Sequence, residues 1–138
     1  LSSLAQEFRQ TLLELHKRMP DQVEQLNTSA DKLLINYFKE IALLFGSTWE
    51  SRRHATRSTV ALRAFLRVLP DVTERGLGTG LAGRDAIRTV IAPWGTQIGA
   101  DRFELAGAWR AKQASSGKES IRLLARELEA ALGSGRPS

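Results

Sequence analysis

Apolar residues recur at helical spacing from the start of this chain: Leu4, Phe8, Leu12, Leu15 and Met19 follow at intervals of four, four, three and four. On a helix of 3.6 residues per turn they form one stripe, so a helix is predicted over residues 3–18. Ser3 and Gln6 can cap its start reciprocally, and Pro20 stops it. A short helical turn with Val23 and Leu26 follows. From Ser29 to Phe45 the apolar positions Leu33, Leu34, Ile35, Tyr37, Phe38, Ile41, Ala42, Leu43, Leu44 and Phe45 surround most of a helix circumference. Such a segment must be covered on several sides, which predicts the central helix of the fold, ended by Gly46 in a left-handed conformation.

A third helix is predicted from about Trp49 to Leu69, closed by Pro70. The following stretch, 71–83, reads DVTERGLGTGLAG and has no apolar period, so it is expected to be a Gly-rich hinge loop. Arg84 to Ile91 makes a short helix through Ile87, Val90 and Ile91. After a loop through Gly95 and Gly99, Asp101 is placed to cap a helix carrying Phe103, Leu105, Ala106 and Trp109. Ser116 with Glu119 forms a capping box ahead of Ile121, Leu124, Ala125, Leu128, Ala131 and Leu132, an amphipathic last helix ending at Gly133. No alternating run bounded by turns competes with these helices. The pattern predicts an all-α chain, a compact bundle of about five to six helices forming one domain over 1–132, with a flexible tail at 133–138. A length of 138 residues agrees with a single core.

Charge changes the picture. Residues 1–50 carry 5 Lys/Arg against 7 Asp/Glu, while residues 51–138 carry 15 against 8, so the net charge of +5 belongs to the second part. Thirteen of those 15 cations are Arg, whose planar fork binds phosphate and carboxylate in a bidentate way. Between Glu50 and Asp71 there are five Arg and no acid. On one continuous helix Arg52, Arg53, Arg57, Arg63 and Arg67 share a cationic arc opposite Ala61, Phe65, Val68 and Leu69. Thr56 and Thr59 lie on or beside the arc and add hydroxyls that reach phosphate oxygens. Trp49 precedes it, where an aromatic ring can stack on an unpaired base. The arc can instead be solvated, or pair with acids of the first part such as Glu7, Glu14 and Glu24. Trp94, beside Pro93, offers a second aromatic, and for both tryptophans core anchoring is the competing role.

Other chemistry finds little support. The absence of Cys removes disulfides and thiolate metal sites, and no apolar stretch reaches the length that spans a bilayer, so a cytoplasmic chain without a membrane partner is expected. His16 and His54 have no second ligand at metal-binding spacing. Gly78-x-Gly80-x-x-Gly83 matches a dinucleotide fingerprint by letters but follows no strand. A helix-turn-helix built from 84–91 and 101–112, with Arg102, Arg110 and Lys112 as readers, has too long a connection. Neither a nucleophile elbow nor a poised carboxylate pair is present, so an enzyme is not expected, and no cofactor or metal. The residues point to a non-catalytic nucleic-acid-binding helical subunit that contacts the phosphate backbone of DNA or RNA inside a larger nucleoprotein complex with other protein subunits. The competing reading is a protein-interaction or oligomerisation module whose Arg-rich face docks on an acidic partner.

Overall fold

The apolar stripe beginning at Leu4 forms helix α1, Ser3–Arg18, in a computed structural model that describes residues 3–76 and 83–133. After a tight turn at Pro20–Gln22 the chain runs through α2, Val23–Phe45, and the short α3, Ser47–Glu50. It then forms α4, Thr59–Arg75, α5, Arg84–Ile91, α6, Ala108–Ala111, and α7, Gly117–Ala130. Five of these helices are longer than one or two turns, and no strand forms among the described residues, where an antiparallel bridge joins His54 to Glu104. The fold is an all-α bundle. No described helix is long and apolar enough to cross a membrane.

The periodic segments behave as their spacing dictates. Ser116 caps α7, its Oγ accepting from the Glu119 N–H at 3.1 Å, and Ile121, Leu124 and Leu128 are buried. Gly46 ends α2 at φ 59°, a region that side chains avoid. The turn expected at Val23 and Leu26 merges with the following segment, so α2 is one helix of 23 residues.

The centre of the bundle lies elsewhere than the apolar content of α2 implies. Helix α4 runs closest to α1 and α7, with α5 also beside it, whereas α2 runs closest to α1 and α5 and reaches α4 through Tyr37, Phe38 and Phe45. Ile35 and Leu43 of α2 are consequently 53% and 64% exposed. Phe65 of α4 is fully buried and has the rings of Phe38, Phe45, Trp49, Trp94 and Phe103 around it, at centroid distances of 5.7 to 6.5 Å. Edge and tilted contacts of this kind add to the area each ring removes from water.

Helix α4 also differs at both ends from the expected 49–69 element. Residues 51–58 are irregular, and Ser58 starts the helix, its Oγ accepting from the Ala61 N–H at 3.2 Å. Pro70 does not stop it. Proline lacks the N–H that would bond the Leu66 carbonyl, and this loss normally ends a helix. Here the Thr11 hydroxyl of α1 lies 2.8 Å from the Leu66 carbonyl oxygen and shares its proton with the Glu7 carbonyl at 2.9 Å. The Tyr37 hydroxyl of α2 donates to the neighbouring Phe65 carbonyl at 2.6 Å. The helix therefore continues through residues 71–75, which belong to α4 and not to the Gly-rich loop; residues 77–82 and the tail at 134–138 lie outside the described residues. Gly133, assigned to that tail, is held by its N–H on the Val90 carbonyl at 2.8 Å.

The predicted helix over 101–112 breaks into a tight turn at Ala100–Phe103 and the short α6. The interruption is tertiary. Leu105 N–H donates to the Arg53 carbonyl at 2.8 Å and Ala55 N–H to the Phe103 carbonyl at 2.7 Å, so the middle of the segment bonds to residues 53–55.

Thr11→Val removes the donor from a buried carbonyl and should lower stability by about 1–2 kcal/mol in urea denaturation. In a Pro70→Ala background the new backbone N–H replaces that donor, and the same substitution should cost clearly less. A double-mutant cycle with no coupling would show that Thr11 does not serve the proline-freed carbonyl.

Candidate nucleic-acid interface

Serine and threonine side chains bond to nearby backbone and so compete with helix formation, and residues 51–58 contain three of them. Ser51 Oγ accepts from the Arg53 N–H at 3.1 Å, closing a turn after α3. Thr56 Oγ1 lies 3.2 Å from the carbonyls of Thr48 and Trp49 at the end of α3, and Ser58 caps α4. The segment thus leaves helical geometry and is pinned to 103–105, which turns Arg52, Arg53 and Arg57 toward solvent.

The continuous cationic arc is corrected by this geometry. Arg52, Arg53 and Arg57 lie on the irregular segment, and only Arg63 and Arg67 lie on α4. Thr59 is exposed at the first turn of α4, but Thr56 is fully buried and its hydroxyl is committed to the carbonyls at the end of α3. Trp49 is half-buried, with its ring 6.4 Å from Phe38 and 6.5 Å from Phe65, and lines an apolar groove with Leu34, Phe38 and Leu62. Trp94 is a core residue whose Nε1 donates to the Leu128 carbonyl at 2.8 Å.

Beside the exposed arginines an open cleft of about 530 Å³ is lined by Arg52, Arg57, Ser51, Ser58 and His54, with Leu105 and Trp109 on its far wall. His54 Nδ1 is 2.8 Å from Ser51 Oγ. Ser51 Oγ, which also accepts the Arg53 amide, thereby ties the imidazole to the irregular segment. Arg52, Arg53 and Arg57 have no carboxylate within ion-pair distance among the described residues; Arg57 Nη2 reaches only the Glu50 carbonyl, at 3.5 Å. The cleft is a concentration of unneutralised guanidinium groups.

Most other arginines of the basic half meet a different fate. Glu7 of α1 receives Arg63 Nε at 3.1 Å and Arg67 Nη2 at 3.0 Å. Glu40 of α2 receives Arg84 Nε at 2.7 Å and Arg88 Nε at 2.8 Å. Glu127 of α7 binds Arg102 Nη2 at 2.8 Å, with Lys112 at 3.6 Å. Arg102, a reader only in the disfavoured helix-turn-helix, is buried with its guanidinium 5.5 Å from the Trp109 ring. Arg122 pairs with Glu119 one turn earlier. The hydrogen bonds from Arg88 and then Arg84 outweigh burial and hold the Glu40 carboxyl below the usual carboxylate range.

Glu7 and Glu40 had a signal in the sequence. Each occupies a position where helical spacing calls for an apolar residue, between Leu4 and Leu15 on α1 and between Tyr37 and Leu44 on α2. A carboxylate there requires a cationic partner within reach. Ser51, His54, Leu105 and Trp109, which shape the cleft, had no such signal because they meet only through the bridge at His54 and Glu104. Among the described residues no three His, Asp or Glu side chains gather as a metal site.

Replacing both Arg63 and Arg67 by Gln leaves a buried carboxylate without its cations, and stability at pH 7 should fall by about 2–3 kcal/mol, a discount from the fully buried case because both guanidiniums reach water. Equal urea midpoints for variant and parent would refute this role. Glu40 gives a pH signature. Its lowered carboxyl contributes stability that is present above the unfolded carboxylate value and lost as pH falls through the folded one. The parent's urea midpoint should therefore drop from about pH 5 downward more steeply than that of Glu40→Gln. Comparison with known proteins gives no match, since no family model, curated protein or solved structure is significantly similar to this chain.

Proposed function

We propose that this chain is a helical nucleic-acid-binding subunit that holds the phosphate backbone of DNA or RNA with the 51–58 segment. The observation that carries the reading is the set of Arg52, Arg53 and Arg57, exposed on one irregular segment and free of carboxylate partners among the described residues, with Arg52 and Arg57 lining one cleft. Self-repulsion of three guanidiniums so close in sequence is relieved by a bound polyanion, and release of counterions supplies the affinity. The cleft contacts backbone and does not read bases. Its aromatic, Trp109, is only 8% exposed and so cannot stack on a base, which leaves charge and the Ser51 and Ser58 hydroxyls as the available chemistry, with Thr59 exposed next to Ser58 in the chain.

A protein partner in the same assembly is favoured by a separate surface. Leu4, Ala5, Phe8, Leu34, Phe38, Trp49, Leu62 and Leu66 line a wholly apolar groove of about 380 Å³ between α1, α2 and α4. Exposed Ile35, on the next position of α2, extends that character. Contiguous apolar surface of this kind on a soluble domain is commonly a docking face. The alternative in which the arginines themselves dock on an acidic protein uses the same 51–58 segment, and nucleic acid competing poorly for it would favour that view.

The test is a triple substitution of Arg52, Arg53 and Arg57 by Gln, which retains Arg63 and Arg67 and so leaves Glu7 paired. Anisotropy titrations with duplex DNA and with single-stranded RNA should show weaker binding to every sequence. The slope of log affinity against log salt should be shallower by about 2–3 units on duplex DNA. Replacing exposed Arg110, Lys118 and Arg126 by Gln changes net charge equally and should alter the slope much less. Unchanged affinity and slope in the folded 52/53/57 variant would dismiss this assignment.

A further inference from the structure

The Glu7 fork leaves more hydrogen-bond donors than it uses. Arg63 binds the carboxylate through Nε, and Arg67 through Nε and Nη2. Both terminal nitrogens of Arg63 and Nη1 of Arg67 therefore have no partner among the described residues. These groups open on a polar cleft of about 330 Å³ whose other walls are Gln6, Gln10 and Arg9. Arg9 is exposed and has no ion pair among the described residues. Three guanidiniums less one carboxylate leave the cleft with a local charge of +2.

The carboxylate does more than neutralise. Glu7 is 7% exposed, and by gripping two guanidinium edges it fixes the planes of Arg63 and Arg67 before anything binds. Preset donors lose little freedom on meeting an anion. The fork alone does not make a site, as α2 and α5 demonstrate. Glu40 is held by Arg84 and Arg88 at the same four-residue spacing, yet the adjoining cleft is lined by Leu43, Leu44 and Ile91 and contains no third cation. Arg9 and the two glutamines are what set the α1–α4 cleft apart.

We infer that the cleft between α1 and α4 is a binding site for a phosphate dianion, with Arg9, Arg63 and Arg67 as charge partners, Gln6 and Gln10 as amide donors, and Glu7 as the positioning residue. The charge of +2 matches a phosphate monoester, whose terminal oxygens accept from several guanidinium N–H groups at once. A terminal phosphate of a nucleic acid and a free small phosphate present this same chemistry. The site stands on its own residues and does not depend on the reading of the 51–58 segment.

The experiment is a titration with inorganic phosphate at low ionic strength, followed by NMR of the arginine Nε–H resonances. Those of Arg63 and Arg67, held on Glu7, should shift saturably, while those of Arg84 and Arg88 on Glu40 should not. Arg9→Gln removes an exposed cation without touching the fork, so its thermal midpoint should match the parent and its phosphate affinity should fall about tenfold or more. The variant with Arg52, Arg53 and Arg57 replaced by Gln should bind phosphate like the parent, which separates failure of this site from failure of the 51–58 assignment. Competition by a 5′-phosphorylated but not a 5′-hydroxyl oligonucleotide assigns the phosphate to a nucleic-acid end. Competition by neither assigns a free small phosphate. A non-saturable response, an equal response at Arg84 and Arg88, or undiminished affinity in Arg9→Gln would overturn the inference.

Discussion

The Leu66 carbonyl, stripped of its donor by Pro70 and supplied with another by Thr11, is the point on which the bundle turns. An unsatisfied carbonyl in the interior costs about 1–3 kcal/mol, enough to end α4 at that level. With the Thr11 hydroxyl 2.8 Å away the helix runs one more turn and a half. That extension buries Val72 and Thr73 and brings Asp71 and Glu74 to Arg18 at the end of α1. It also carries Arg75 to the carbonyls of Leu132 and Gly133 beyond α7. The donors come from α1 and, through Tyr37 on Phe65, from α2. The proline thus sets a requirement that only correctly docked neighbours meet, and α4 becomes the central post of the fold.

A second constraint governs charge. The basic half does not form one positive face, because three acids are each gripped by two cations, and two of them, Glu7 and Glu40, are buried. Such clusters repay the desolvation of a carboxylate only when its oxygens are well bonded, which two arginine forks ensure. The arrangement converts a diffuse excess of arginine into fixed structural joints between α1 and α4, α2 and α5, and α7 and the 102–112 region. Outside the joints, Arg52, Arg53 and Arg57 are clustered on the irregular 51–58 segment, whereas Arg110, Lys118 and Arg126 are exposed at separate positions further along the chain.

How much of this was legible follows from where the information resides. The helices α1, α5 and α7 could be read because their apolar stripes are local and their stops, Pro20, Pro93 and Gly133, lie in the chain beside them. The apolar residues of α2 surround its axis and predict a central position, yet packing leaves Ile35 and Leu43 in water and places Phe65 at the hub. The passage through Pro70 and the interruption at 104–107 depend on partners far away in the chain, and the break at 51–58 joins local Ser and Thr bonds to the distant pairing with 103–105. A helical wheel drawn over 49–69 therefore grouped five arginines that the fold separates into three exposed and two held by Glu7. The candidate site was legible as a composition, an acid-free run of arginines, and not as a surface.

The N-terminal half of α1 separates two surfaces of opposite character. Leu4, Ala5 and Phe8 face the apolar groove, and Gln6, Glu7, Arg9 and Gln10 line the polar cleft. At about 100° per residue these sets fall on opposite flanks of the helix, with Glu7 and Thr11 directed between them onto α4. An apolar partner in the groove and an anion in the cleft would therefore approach from different sides and leave each other's contacts intact. What they share is the seam beneath, where Glu7 holds Arg63 and Arg67 and Thr11 holds Leu66. The side chains that stabilise the α1–α4 contact are thus also those that orient the cleft's guanidiniums, so the stability of the seam and the geometry of the anion-facing donors cannot be altered independently.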